Sequence, residues 1–181
     1  VQAIKDRSEE IVAMAEKART LERMLDREER PPVAEPVVPL VESVVEGVQA
    51  EHRDVAIGVT SRAADGACAD AQLRTVVQNL VENAAEHNTA CDPWVWVDVD
   101  GGDGRPVRIR VADTGTAIPE EERSVLAMGG ETQLEHGSGL GLWLVKWGCR
   151  TVGGTVDFAE RQSDGNLVTV RAPALHGGDA G

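Results

Sequence analysis

The order in which hydrophobic periodicity changes along the chain restricts its fold more than any other feature. Apolar residues recur at helical spacing over residues 40–49 (Leu40, Val41, Val44, Val45, Val48), give way to a short strand over 55–60, and return to helical spacing over 70–87. Strands over 94–99 and 107–112 follow, separated by the Gly- and Asp-rich residues 100–104, which predict a hairpin. A helix over 140–151 comes next. The chain then closes with a second hairpin, its strands near 155–159 and 167–171 and its turn at 163–166. Helices interleaved with hairpin strands in this order predict an α/β two-layer sandwich, a mixed sheet covered on one face by helices.

Residues 1–30 stand apart from this pattern. They contain no Gly or Pro, and Ile4, Ile11, Ala18 and Leu25 recur every seven residues with Met14 and Leu21 between them, although Arg7 interrupts the second set. A long heptad-bearing helix is expected, about 45 Å at roughly 1.5 Å per residue, with an apolar seam that needs a partner helix. Pro31, Pro32, Pro36 and Pro39 end it and leave a linker or edge strand over 31–39. The expected organisation is therefore helix 1–30, linker 31–39, one domain over 40–175, and a disordered tail at 176–181. Because the sequence starts at Val1 rather than Met, it is read as a fragment of a longer protein.

Composition excludes several functions. The formal net charge of −13, from 31 acidic and 18 basic residues, repels a phosphate backbone, so no nucleic acid is expected as partner. No apolar run approaches the roughly 20 residues that span a bilayer, and no signal peptide opens the sequence, so a cytoplasmic location without membrane contact is expected. Cys68, Cys91 and Cys149 are odd in number and widely spaced, which suits neither a disulfide framework nor a metal site; reduced, buried thiols are expected.

Three motifs carry chemistry. In HGSGLGLWLVKW (136–147), Gly137, Gly139 and Gly141 run into an apolar helix. Unpaired N–H groups at a helix start attract an anion, and glycines let backbone approach it; the same glycines also suit plain helix-start chemistry or close packing. In QNLVENAAEHN (78–88), Asn79, Asn83 and His87 are spaced four apart and share a helix face, opposite a core stripe of Val76, Val77, Leu80, Val81 and Ala84. Their carboxamide oxygens can ligate a hard cation such as Mg²⁺, or simply form a solvated polar face. In VADTGTAIP (111–119), Asp113 ends a strand and Gly115 follows in a loop. The carboxylate can accept a hydrogen bond from an exocyclic amine where the glycine admits a flat ring; an Asx-type turn is the alternative.

In this order the three motifs resemble the ATP-binding domain of sensor histidine kinases, within the superfamily shared by gyrase, Hsp90 and MutL. The resemblance covers about 36–172. QNLVENAAEHN is similar to the asparagine box, DTGTAIP to the first glycine box and HGSGLGLWLVKW to the second, with GGT at 153–155 where further glycines often follow. It implies ATP and Mg²⁺ as cofactors, Asn83 as metal ligand and Asn79 near the phosphates, the two acting as catalytic residues. It also implies that Asp113 reads the adenine amino group, Gly115 admits the ring and His87 covers it. Gly137, Ser138, Gly139, Leu140 and Gly141 would hold the phosphates, and 116–136 would be a lid.

The sequence departs from the family at several points. Glu86 stands where lysine is common, His87 where an aromatic is common, and Ala117 replaces a glycine; the lid has one basic residue, Arg123, and no phenylalanine box is recognisable, Phe158 being the chain's only phenylalanine. The family's ATPases carry a general-base glutamate where this chain has Asn79, so transfer rather than hydrolysis is implied. Residues 1–30 resemble the second helix of a dimerisation hairpin. None of His52, His87, His136 and His176 sits where a phosphoacceptor would, so the acceptor histidine is expected on a segment outside this sequence.

The resulting expectation is the catalytic fragment of a two-component sensor histidine kinase. It would act in a homodimer formed through the N-terminal helix, with a response-regulator receiver domain as partner. A catalytically weak nucleotide-binding regulatory or scaffold module, or a superfamily ATPase, is the alternative. The acid excess with only three lysines (Lys5, Lys17, Lys146) further suits a high-salt cytoplasm, where the Debye length falls to about 3 Å at 1 M and acidic side chains cease to repel one another. A halophilic origin predicts that molar KCl raises the thermal midpoint by several degrees; a midpoint unmoved by salt in calorimetry counts against it.

Overall fold

A computed structural model describes residues 31–120, 123, 139–162 and 165–176. The expected helix over 1–30, most of the expected lid and residues 177–181 lie outside the described residues. In chain order the elements are β1 (Ala34–Pro36), α1 (Val37–Glu51), β2 (Ala56–Ala63), β3 (Cys68–Asp70), α2 (Leu73–Glu86), β4 (Trp94–Gly102), β5 (Arg105–Asp113), α3 (Gly139–Thr151), β6 (Thr155–Glu160) and β7 (Asn166–Ala172).

Five strands form one sheet in the order β2-β4-β5-β7-β6, and β1 pairs with β3 in a separate two-stranded ribbon. β2 lies parallel to β4 while every other neighbour is antiparallel, so the sheet is mixed. The parallel pair needs a crossover, and α2 supplies it. The expected α/β sandwich is thus the fold observed.

Several boundaries differ from expectation for local reasons. α1 starts at Val37 because Pro39 falls in its first turn, where a missing N–H costs no intrahelical bond. The ribbon strand β3 has no sequence signal, since three residues are too few to show a period. The first hairpin turns on only two residues, Asp103 and Gly104, both with positive φ (59° and 80°), as a primed turn requires. Its strands are accordingly longer than expected. The register shifts between Asp100 and Gly102, and Gly101 (φ 103°) takes up the extra residue.

Strand alternation decides what faces the helices. Val95, Val97 and Val99 of β4, Val107, Ile109 and Val111 of β5, and Val168 and Val170 of β7 are buried against a helix layer that includes Val41, Val44, Val77, Leu80, Val81 and Val145. The same register carries Asp113 at the end of β5 and Asn166 at the start of β7 onto the buried side. On the other face Trp96 is 46% exposed and lies across Gly58, where any Cβ would overlap the indole. Asp98 is shielded there by Arg62 and Arg110.

Among the thiols, Cys68 and Cys149 are buried as expected, but Cys91 is exposed, because it lies in the loop between α2 and β4 rather than in an element packed on the core. Burial pushes the Cys149 thiol up to about 12. In the native protein a thiol-specific chromophore should titrate Cys91 at once, and Cys68 and Cys149 only on unfolding; stoichiometric fast labelling of a Cys91→Ser variant would contradict this burial.

Candidate nucleotide site

A cavity of about 300 Å³ opens between the helix layer and the ends of β5 and β7. Pockets of this size suit small ligands when a few polar groups converge on an apolar lining. The floor is Val111 and Val168, and the wall from α2 is Leu80, Asn83, Ala84 and His87, one stripe at helical spacing. α3 adds Leu142, the loop after β5 adds Gly115, Thr116, Ala117, Ile118 and Pro119, and Asp113 and Asn166 supply the polar end.

This stripe corrects the sequence-based division of α2. Leu80 and Ala84 line the cavity beside Asn83 and His87 rather than lying opposite them, while Asn79 lies off the cavity lining. Asn79 is 9% exposed, and its Nδ2 donates to the Thr75 carbonyl at 2.8 Å. That bond satisfies part of a buried amide by turning it back on its own helix.

Asp113 is 4% exposed. Burial pushes its carboxyl up from the usual range, and hydrogen bonds from the Asn166 side chain and the Gly115 backbone pull the other way, with the Arg161 charge assisting. Its Oδ1 accepts from Gly115 N at 2.8 Å and from Asn166 Nδ2 at 3.1 Å. The Asx-type bond to Gly115 considered from sequence is therefore present, and it coexists with a carboxylate that lines the cavity. Gly115 has little room for a side chain: a Cβ there would come within 3.2 Å of the His87 carbonyl oxygen and 3.4 Å of Asn88 Cα. The strand end is held from outside by Thr114, whose Oγ1 donates to Asn88 Oδ1 at 3.2 Å and accepts from Trp94 N at 3.1 Å.

Asn166 is the residue that sequence reasoning missed. It was read as part of a turn, yet it opens β7 two residues before Val168, in the inward register of that strand. The valine alternation in the strand was the available signal.

At the other end of the cavity, α3 starts against Asn83. A Cβ on Gly141 would come within 2.5 Å of both Nδ2 and Oδ1 of Asn83, so of the alternatives for this glycine, close packing is realised. Gly139 begins the helix and Leu140 follows within it, whereas Gly137 and Ser138 lie outside the described residues. Asn83 Nδ2 is buried without a hydrogen-bond partner among the described residues. An unpaired buried amide is costly, and a carboxamide left unpaired beside a cavity fits a ligand or hydrated cation better than it fits a closed core. No cluster of three or more His, Cys, Asp or Glu able to hold a metal exists among the described residues. A cation here would therefore rest on amide oxygen, water and ligand oxygens, a donor set that suits Mg²⁺. No described helix is long and apolar enough to cross a membrane.

A mixed sheet under helices, with a cavity between the layers closed by a carboxylate at one end and a glycine-packed helix start at the other, defines an α/β sandwich of the ATPase-domain class. The protein-family profile for histidine kinase-, DNA gyrase B-, and HSP90-like ATPases matches residues 68–176, and the chain belongs to that family. It is 38% identical over 108 residues to histidine protein kinase DivJ of Caulobacter vibrioides, covering 57% of this chain and 18% of that protein. To sensor-type histidine kinase PrrB of Mycobacterium tuberculosis it is 34% identical over 107 residues, 57% of this chain and 23% of that one. The chain thus spans about a fifth of the length of these curated relatives. The catalytic domain of histidine kinase ThkA shares the fold with a TM-score of 0.66 at 22% identity, over 79% of this chain and 95% of that one.

Gly141 gives a direct test of the helix contact. Gly141→Ala should destabilise the chain by about 1–3 kcal/mol through overpacking. Gly47→Ala in α1, where nothing lies within 4 Å of a Cβ, should stabilise it by roughly 0.5–1 kcal/mol through helix propensity. Denaturant melts in which the two substitutions act alike would refute the contact.

Proposed function

We propose that this chain is the ATP-binding catalytic part of a two-component sensor histidine kinase. It binds Mg-ATP and delivers the γ-phosphate to a histidine on a separate segment, from which it passes to an aspartate of a response-regulator receiver domain. The observation that carries this reading is the two-ended cavity, where Asp113 stands at one end and Asn83, its Nδ2 without a partner among the described residues, meets the first turn of α3. The named kinases among the relatives support the same reading. Dimerisation through residues 1–30 and a cytoplasmic location belong to this proposal as well.

In the proposed reaction each group does a separate task. Asp113 accepts a hydrogen bond from the adenine amino group, Gly115 leaves room for the ring, and Leu80, Val111, Ile118 and Val168 exclude water from its faces. His87, exposed at the end of α2, covers the ring from outside. Asn83 would hold Mg²⁺, which when bound neutralises charge on the phosphates. The start of α3, with Gly137 to Gly141, would offer backbone N–H groups to the phosphate oxygens. Asn79 cannot take a proton from water, which favours transfer to a histidine over hydrolysis.

Calorimetric titration should show ATP binding that weakens sharply in EDTA. Asp113→Asn should weaken it roughly tenfold to a hundredfold, as expected for a lost hydrogen bond to a charged acceptor. In the full-length protein γ-labelled ATP should yield acid-labile phosphohistidine. Equal binding by Asp113→Asn, or rapid phosphate release without any labelling, would overturn the reading.

A further inference from the structure

The turn between β6 and β7 builds part of the base end of the cavity. Asn166, at the end of that turn, is buried, and its polar atoms are committed to the loop after β5. Nδ2 donates to Asp113 Oδ1 at 3.1 Å and to the Thr116 carbonyl at 3.0 Å, while Oδ1 accepts from Ile118 N at 2.8 Å. A primary amide has two N–H donors, and both are spent, so Asn166 has none left for a ligand. Its contribution to the cavity is to hold Asp113 in place. The bonds from Gly115 N and Asn166 Nδ2 both fall on Oδ1, and the Asn166 backbone N–H adds another to the same carboxylate.

Arg161 holds the same residue by its main chain. Its Nη1 donates to the Asp113 carbonyl at 3.0 Å, and its guanidinium lies 4.6 Å from the Trp94 ring centroid. Cation–π contact of this kind fixes a long side chain that would otherwise sample many rotamers. The turn is closed by Arg161 N donating to the Gly165 carbonyl at 3.0 Å. Gly165, at φ 96°, lies so close to the Asp113 carbonyl that a Cβ would overlap it.

We propose that Arg161 and Asn166 are positioning residues that hold Asp113 as an acceptor and so commit the cavity to purines with a 6-amino group over those with a 6-oxo group. This rests on the nucleotide-binding reading above. The chemistry follows from protonation. An ionised carboxylate only accepts, which matches an amino N–H and repels a 6-oxo oxygen; a protonated one can donate to that oxygen. Burial favours the protonated form, and the Asn166 side-chain bond is the foremost influence opposing it. Of the titratable groups around the carboxylate among the described residues, Arg161 approaches from the turn and His87 lines the cavity from α2.

The test measures ATP and ITP affinity of the whole chain against pH, for wild type, Asn166→Ala, Asn166→Thr and Arg161→Met, each with a thermal melt. Wild type should prefer ATP, with binding lost as pH falls through the Asp113 pKa. Asn166→Ala should weaken ATP roughly tenfold, narrow the ATP:ITP ratio and move that acid limb to higher pH. Asn166→Thr, which restores one donor, should recover part of each. Arg161→Met keeps an apolar stem on Trp94 and should narrow the ratio with a smaller shift of the limb. A merely structural role would lower stability and leave ratio and limb where they were. If wild type prefers ATP and the folded variants keep its ratio and acid limb, this inference fails alone. If wild type binds neither nucleotide, the reading beneath it fails too. Should Asn166→Ala not fold, Asn166→Thr and Arg161→Met decide.

Discussion

A carboxylate buried at the end of β5 is the constraint on which the polar end of the cavity depends. Placing Asp113 in a low-dielectric position costs several kcal/mol unless bonds replace its water. The replacements at the carboxylate come from Gly115 in the following loop and Asn166 from β7, while Arg161, from the turn before β7, holds the main-chain carbonyl of the same residue. The Gly115 bond is local, but Asn166 and Arg161 can reach Asp113 only if β5 and β7 pair in their observed register, with Ala112 opposite Leu167. A slip of β7 by one residue would turn Asn166 to the outer face together with Val168 and Val170, away from Asp113. The hydrophobic alternation and the polar site are thus specified by the same register.

The opposite end of the cavity is governed by helix packing. α2 and α3 approach closely at Gly141 and trap the Asn83 carboxamide between them, its Nδ2 buried without a hydrogen-bond partner among the described residues. Packing that tight would ordinarily be filled with aliphatic side chains. Keeping a polar amide there sacrifices some stability, which is how binding sites commonly differ from cores.

Much of this was legible in sequence because valine alternates so regularly in β4, β5 and β7 that the inward register reads directly, and the apolar stripe of α2 is equally plain. What was not legible has definite physical causes. α2 is buried on two fronts, sheet and cavity, so a single amphipathic division assigned Leu80 and Ala84 to the core and left the polar face too wide. Asn79 looked equivalent to Asn83 by spacing, but an amide can satisfy itself on its own helix, and nothing in the spacing says whether it will. Asn166 resembled a turn residue by type, and only the pairing of β7 with β5 makes it a strand residue. The parallel pairing of β2 with β4 is a long-range choice that no local pattern announces.

The tight turn at Asp103 and Gly104 has a kinetic consequence. β4 and β5 are joined so closely that their pairing is among the most local in the sheet, and Asp113 is positioned along with it. Its partner Asn166 is 53 residues away in sequence and arrives only when β7 docks. Contacts between distant residues are slow to form because the intervening chain must first be ordered. The Asp113 end of the cavity therefore joins an early pairing to a late one, and it is incomplete in any partly folded chain. A ligand that binds Asp113 only when Asn166 holds it would select the finished sheet and keep its last-docked strand in place.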